Sequence, residues 1–353
     1  MSEWFNYFAK HLQSRTIVRS NEKLFIMSER SKVIRWGILG CGAVTELKSG
    51  PAYQKTDGFE VVAVMRRDAV KAADYAKRHA ISTYYTNADD LIDDPEIDAI
   101  YIATPPDVHK FYGLKVAAAG KICCIEKPLA PNYKDCLAIH NAFAAKNIPL
   151  FVAYYRRTLP RFEQIKTWLD TNSIGEIRHI RWHLSKPANS TDVSGDYNWR
   201  TDAAIGTGGY FDDLASHGLD LFIHFLGNIK EVSGFSLNQQ GLYSAKDAVT
   251  ACWVHDSGIT GSGSWNFGCY KREDKVEIFG SKGKIRFSVF ENEPILLSNE
   301  LGQTELFIEH PENIQMYHVK QMREDLLGNS KHPSTGLAGS HTSWVMDKII
   351  GNL

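Results

Sequence analysis

"VIRWGILGCGAVT", residues 33–45, decides the fold. Residues 33–39 are mostly apolar and read as a buried strand. Gly40 and Gly42 then turn the chain sharply, and residues 43–45 open a helix. A Gly-x-Gly turn between a strand and a helix lets backbone approach a pyrophosphate, which can sit on the helix N-terminus. The third position of the fingerprint is Thr45, where Gly or Ala is usual. The motif alone is therefore weak, and its weight comes from its placement. Gly40, Cys41, Gly42, Ala43 and Val44 are the expected dinucleotide contacts, against the alternative of an ordinary glycine turn.

The next strand, "GFEVVAVM" (58–65), runs into Arg66 and Arg67. A site for NAD expects an acid there, bound to the ribose 2′-hydroxyl. A guanidinium instead suits a 2′-phosphate. The expected cofactor is NADP(H), with NAD(H) possible; a solvated arginine pair is the other reading. Further along, "IDAIYIAT" (97–104), "KICCIEKP" (121–128) and "IPLFVAYY" (148–155) read as strands, with helices over 69–80, 108–120 and 132–147. Alternating strands and helices predict a parallel sheet with right-handed crossovers. Beyond residue 175 short strands follow one another through tight turns (175–185, 230–237, 247–258, 259–268, 275–288), interrupted by a helix over 207–227. The predicted fold class is an α/β Rossmann sheet plus an α+β domain with an open, mostly antiparallel sheet. Its parts are an extension (1–31), the dinucleotide-binding domain (32–152), a substrate and oligomerisation domain (153–330), and a C-terminal helix (331–353) packing back on the Rossmann domain.

The chain has 353 residues, 23% of them charged, with a net charge of −1. That excludes a strong electrostatic case for nucleic acid or an anionic membrane. No apolar run is long enough to span a bilayer. The six cysteines form no CxxC pair, so reduced thiols and a cytoplasmic location are expected rather than disulfides or structural zinc.

Asp213 and His217 are four residues apart and share a helical face, which Asp220 and His224 roughly continue. Asp213, His217 and His224 could ligate a metal by residue type; no metal is expected. Trp199 and Arg200 could wall a pocket, or Trp199 could serve the core. Arg156 and Arg157 suit either substrate oxygens or interdomain ion pairs. "DAVTACWVHD" places Val249 and Trp253 on one sheet face that needs a cover, which predicts a homodimer or higher homo-oligomer.

Several segments together resemble the Gfo/Idh/MocA oxidoreductases. "WGILGCGAV" is similar to their dinucleotide turn and "ATPPDVH" (103–109) to their A-T-P-N-x-x-H element, with Pro106 in place of Asn. "EKPLA" (126–130) matches their hallmark. "VAYYRRTLP" (152–160) is similar to V-G-x-N-x-R, with Tyr155 in the Asn position. "NWRTD" (198–202) and "GGYFDDLASHGLD" (208–220) resemble substrate-domain elements. The resemblance implies that Thr104, Pro105, His109, Glu126, Trp199 and Arg200 touch cofactor, and that Tyr155, Arg156, Asp213 and His217 touch substrate. Lys127 would face both and move the proton, with His217 and Asp213 assisting. The implied activity is hydride transfer to or from a carbonyl or secondary alcohol of a sugar, cyclitol or related polyol. A nicotinamide-dependent hydrolase or lyase and a non-catalytic dinucleotide sensor are the alternatives.

Overall fold

The computed structural model describes residues 33–353; the expected extension over 1–31 lies outside them. The first sheet contains β1 (Ile34–Leu39), β2 (Phe59–Met65), β3 (Thr83–Tyr85), β4 (Ala99–Ile102), β5 (Ile122–Ile125) and β6 (Leu150–Val152). All six strands pair in parallel, in the order β3-β2-β1-β4-β5-β6. β4 and β6 are buried along their whole length, as strands covered on both faces must be. The flanking helices start and stop on local signals. Asp68 and Asn132 cap two N-termini through their side chains, and Gly120 closes a third helix in the left-handed conformation.

The second sheet contains β7 (Ile177–Ser185), β8 (Ile229–Leu237), β9 (Ala248–His255), β10 (Thr260–Asn266), β11 (Glu273–Gly280), β12 (Gly283–Phe287), β13 (Ile295–Asn299) and β14 (Gly302–Leu306). The order is β14-β13-β12-β11-β7-β10-β9-β8. Every pairing is antiparallel except β7 with β10, which run parallel from His179 opposite Thr260 to Ser185 opposite Asn266. The chain reaches β10 only after the helix Ser216–Leu226 and the β8–β9 hairpin, so this pair is not a hairpin and sequence adjacency does not reveal it.

One sheet face packs on Ser216–Leu226 and on the C-terminal helix Gly336–Ile350, and its core holds Trp182, Trp253, Trp265 and Phe222. Trp253 stacks on Phe222 with ring centroids 6.2 Å apart. This corrects the argument for self-association. Val249 and Trp253 are 3% and 2% exposed, because helices of the same chain cover their face. The C-terminal helix also holds the first sheet's helix Tyr133–Ala144. Asp347 Oδ2 accepts the Tyr133 N–H at 2.7 Å, and the Cys136 thiol donates to Ser343 Oγ at 3.2 Å. Among the described residues no helix is long and apolar enough to cross a membrane.

Two expected elements are shorter than their apolar runs suggest. The strand expected over 148–155 ends at Val152, and Tyr155–Thr158 forms a tight 3-10 turn. The helix expected over 207–227 begins as a wide π-turn, Phe211–Ala215, before becoming α-helical at Ser216. Such turns are frequent at functional sites.

Candidate active site

The carboxyl ends of β1, β4 and β5 meet the π-turn across a cavity of about 520 Å³. The strand order reverses between β1 and β4, which is where ligands bind in open parallel sheets. At the end of β1, Gly40 has φ +99° and lies so close to β4 that a Cβ would stand 2.8 Å from Thr104 Cγ2. Only glycine takes that conformation and that approach without strain. Gly42, Ala43 and Val44 follow and line the cavity. Among the described residues no side chain caps the helix Ala43–Leu47 that they begin, which leaves the Ala43 and Val44 amides available to a ligand. Arg66 stands beside the turn and donates from Nη1 to the Cys41 carbonyl at 3.0 Å.

Lys127 leaves the end of β5 by a cis peptide bond to Pro128. Its side chain is 11% exposed. Nζ donates to Asp213 Oδ1 at 2.6 Å and to the Asp213 carbonyl at 2.9 Å. An ammonium has three donors, so one remains for a bound group. Arg200 Nε reaches the other carboxylate oxygen of Asp213 at 3.1 Å, while its guanidinium lies 4.3 Å from the Trp199 ring centroid. Burial pushes the Asp213 carboxyl up, but the charges of Lys127 and Arg200 outweigh it and hold the group at about 2. His217, one turn on, is enclosed, and its Nδ1 has no partner among the described residues. Burial, and then the Lys127, Arg156 and Lys48 charges, push its pKa well below the usual value, so the ring is neutral. Tyr155 meets its edge, with ring centroids 5.5 Å apart.

Glu126 anchors the base of the site. Its Oε1 accepts from Tyr101 Oη at 2.5 Å and Gln315 Nε2 at 2.7 Å, and its Oε2 from the Lys127 N–H at 3.2 Å. Gln315 Oε1 and Thr104 Oγ1, on cavity-lining residues, are buried without partners among the described residues. Orphaned polar atoms beside a glycine turn and an uncapped helix start suit a polar, phosphate-bearing dinucleotide. When bound there, a nicotinamide would supply the hydride chemistry.

The cavity brings together Gly42, Ala43, Val44, Thr104, Pro105, Glu126, Lys127, Tyr155, Arg156, Trp199, Arg200, Asp213 and His217. Of the other expected contacts, Gly40, Cys41, Arg66, Arg67 and His109 are not among the lining residues. Cys41 is fully buried and its carbonyl meets Arg66. Arg67 is exposed on the surface and lies outside the cavity lining. His109 is buried outside the cavity lining, its ring nitrogens 3.0 Å from the Pro128 carbonyl and 2.8 Å from that of Thr104; burial lowers its pKa, and a neutral ring donates to only one of the two. Arg156 donates to the Val289 carbonyl at 2.5 Å and lies over Phe290, so only part of it faces the cavity. Of the residues left open, Arg157 pairs with Asp220 and His224 stands 3.9 Å from Glu163.

The sequence reading misses Lys48, Phe290, Gln315 and Asp212. Lys48 follows Val44 by one helical turn, a spacing that could have marked it. Phe290 and Gln315 sit in irregular segments with no pattern to flag them. Asp212 lines a smaller cavity together with Asp213, Asp347 and Pro128, and its Oδ2 accepts the Gly208 N–H at 2.8 Å. Burial, then repulsion from Asp347 and Asp213, push it up to about 7 against that bond. The unfolded value is about 4. A raised carboxyl contributes stability that is full below pH about 4 and is lost as pH rises through about 7. Asp212→Asn should therefore lose less melting temperature than the native chain between pH about 5 and pH about 8. Parallel melting profiles would contradict this.

Comparison with known proteins agrees with the geometry. Residues 34–154 match the oxidoreductase family with an NAD-binding Rossmann fold, and residues 162–286 match the GFO/IDH/MocA C-terminal domain. "Oxidoreductase P35" of Formosa agariphila is 34% identical over 319 residues, covering 90% of this chain and 98% of the relative. The trans-1,2-dihydrobenzene-1,2-diol dehydrogenase of Bos taurus is 26% identical over 255 residues, covering 71% and 72%. A levoglucosan dehydrogenase solved with NADH and levoglucosan superposes with a TM-score of 0.78 at 21% identity, covering 90% of this chain and 96% of that one. The two family matches and the relative 34% identical over 90% of the chain show that this chain belongs to the Gfo/Idh/MocA family of oxidoreductases.

Proposed function

We propose that this oxidoreductase is NADP(H)-dependent and interconverts a secondary alcohol and a carbonyl on a sugar, cyclitol or related polyol. The carrying observation is the Lys127–Asp213 pair. An ammonium is fixed at the sheet edge by a carboxylate and a carbonyl, in the cavity that the glycine turn also lines. In this reading Lys127 gives a proton to the substrate oxygen during reduction and takes it back during oxidation. Asp213 orients Lys127 and keeps its charge sheltered. The neutral His217 hydrogen-bonds a neighbouring hydroxyl, and Tyr155 and Arg156 bound the substrate on the far side. The levoglucosan dehydrogenase likeness and the polar lining support a polyhydroxylated substrate.

The NADP(H) preference rests on Arg66, which stands at the end of β2 where an acid would favour NAD(H). One charge-assisted phosphate contact should give roughly ten- to a hundredfold tighter binding of NADP(H). Arg66→Asp should erode or reverse that preference in dissociation constants measured by calorimetry. Equal affinities in the native chain would overturn it.

A further inference from the structure

A second cavity, of about 460 Å³, opens beside the first and shares Trp199, Arg200 and Asp213 with it. Its opposite wall carries Lys186, Asn189, Asn198, Tyr197 and Tyr210. Lys186 is half-buried, with its ammonium 3.8 Å from the Tyr210 ring centroid and 5.9 Å from that of Phe267. Among the described residues it has no carboxylate partner within ion-pair distance. Two acids lie near it: Asp213, in the cavity lining, is held by Lys127 and Arg200, and Asp192, outside the lining, accepts from Tyr210 Oη at 2.6 Å and from Asn198 Nδ2 at 3.2 Å. Tyr210 Oη also accepts from Asn189 and Asn198, so the ring beneath the ammonium is locked. Burial, with the nearby Arg272 and Arg200 charges, lowers the Lys186 pKa against the opposing pull of Asp192 and Asp213. Arg200, paired with Asp213 at 3.1 Å, adds a second cation on the shared wall. Tyr197, 76% exposed, and Trp199 offer ring surfaces of the kind a sugar's C–H face packs on.

A held cation facing a polar cavity next to the reaction centre suits an anion on the substrate. We propose that this cavity is a subsite for an anionic substituent, a carboxylate or a sulfate ester, so that the substrate is an acidic sugar and Lys186 is a specificity-determining residue. The proposal rests on the sugar-oxidoreductase reading, yet it can be judged without turnover.

The test pairs D-glucuronate with D-glucose and D-galacturonate with D-galactose, with glucose 6-sulfate as the sulfate arm, on the full chain with saturating NADP⁺. The acidic member should lead by roughly ten- to a hundredfold in kcat/KM. That ratio should collapse towards one in Lys186→Met and persist in Lys186→Arg; the better of carboxylate and sulfate identifies the group. The same sugars are titrated calorimetrically into the cofactor-loaded protein. If no hexose turns over, the sugar-oxidoreductase reading fails, but an acid preference in binding that Lys186→Met abolishes still supports the subsite. Three results would each overturn it: equal affinity for acidic and neutral sugars, no binding of any acidic sugar, or a Lys186→Met effect confined to cofactor affinity.

Discussion

Lys127→Ala is expected to lose about 10²–10⁴-fold in turnover, the contribution of a positioned acid–base group, while NADP(H) affinity stays close to native. Affinity should survive because the turn at Gly40–Val44 and Arg66 lie outside the Lys127–Asp213 contact. Lost orientation of the substrate adds to the deficit. The competing view makes Lys127 a seam residue that ties β5 to the π-turn through Asp213. It predicts a lower melting temperature with rate per folded molecule nearly unchanged. Cofactor affinity, melting temperature and turnover measured on one preparation separate the two views. Turnover within about threefold of native, far below the loss of a catalytic acid, would refute the catalytic assignment.

Arg157→Leu should strongly destabilise the fold from outside the site. Arg157 Nε and Nη2 donate to the two Asp220 oxygens at 2.7 and 2.6 Å, and Nη1 to the Pro333 carbonyl at 2.8 Å. Thr342 Oγ1 donates to Asp220 at 3.0 Å. The pair is 5% and 1% exposed and ties the Tyr155–Thr158 turn to the helix Ser216–Leu226 and to the C-terminal helix. Removing the cation leaves Asp220 charged and buried, which costs roughly 3–5 kcal/mol. Replacing both partners with apolar residues of similar volume should cost much less, because no stranded charge remains. Urea unfolding of the single and double variants measures both. A single-variant loss below about 1 kcal/mol, the range of an exposed pair, would mean that the ion pair does not lock these elements.

The fold was legible where residue pattern and burial coincide. The apolar runs of β1, β2, β4 and β5 have no second reading inside a covered parallel sheet, and Gly40 marks a conformation that other residues resist. β3, three residues at the sheet edge, and β13 and β14, in the mixed stretch 295–306, carry too little apolar periodicity to stand out. The face of β9 was legible but its cover was not, because which helix returns to a sheet is a tertiary fact. At the site, Lys127, Asp213, His217, Trp199 and Arg200 sit in recognisable segments and do converge on one cavity. His109 belongs to such a segment too, yet its ring lies buried between two backbone carbonyls, outside the cavity lining. Gln315 and Phe290 arrive from irregular loops, and the pairing of Arg157 with Asp220 spans 63 residues, beyond the reach of local spacing.

The most direct test of the account follows reduced nicotinamide by its near-ultraviolet absorbance, with NADP(H) and NAD(H) in parallel, across neutral and acidic polyols and ketoses, for the native chain and Lys127→Ala. The account predicts net, stoichiometric conversion of cofactor with substrate in the native chain, faster with NADP(H), and its near-disappearance in Lys127→Ala. Product formed without net change in cofactor, as from a hydrolase or lyase that oxidises only transiently, or cofactor and sugar bound without conversion, as in a sensor, would contradict it.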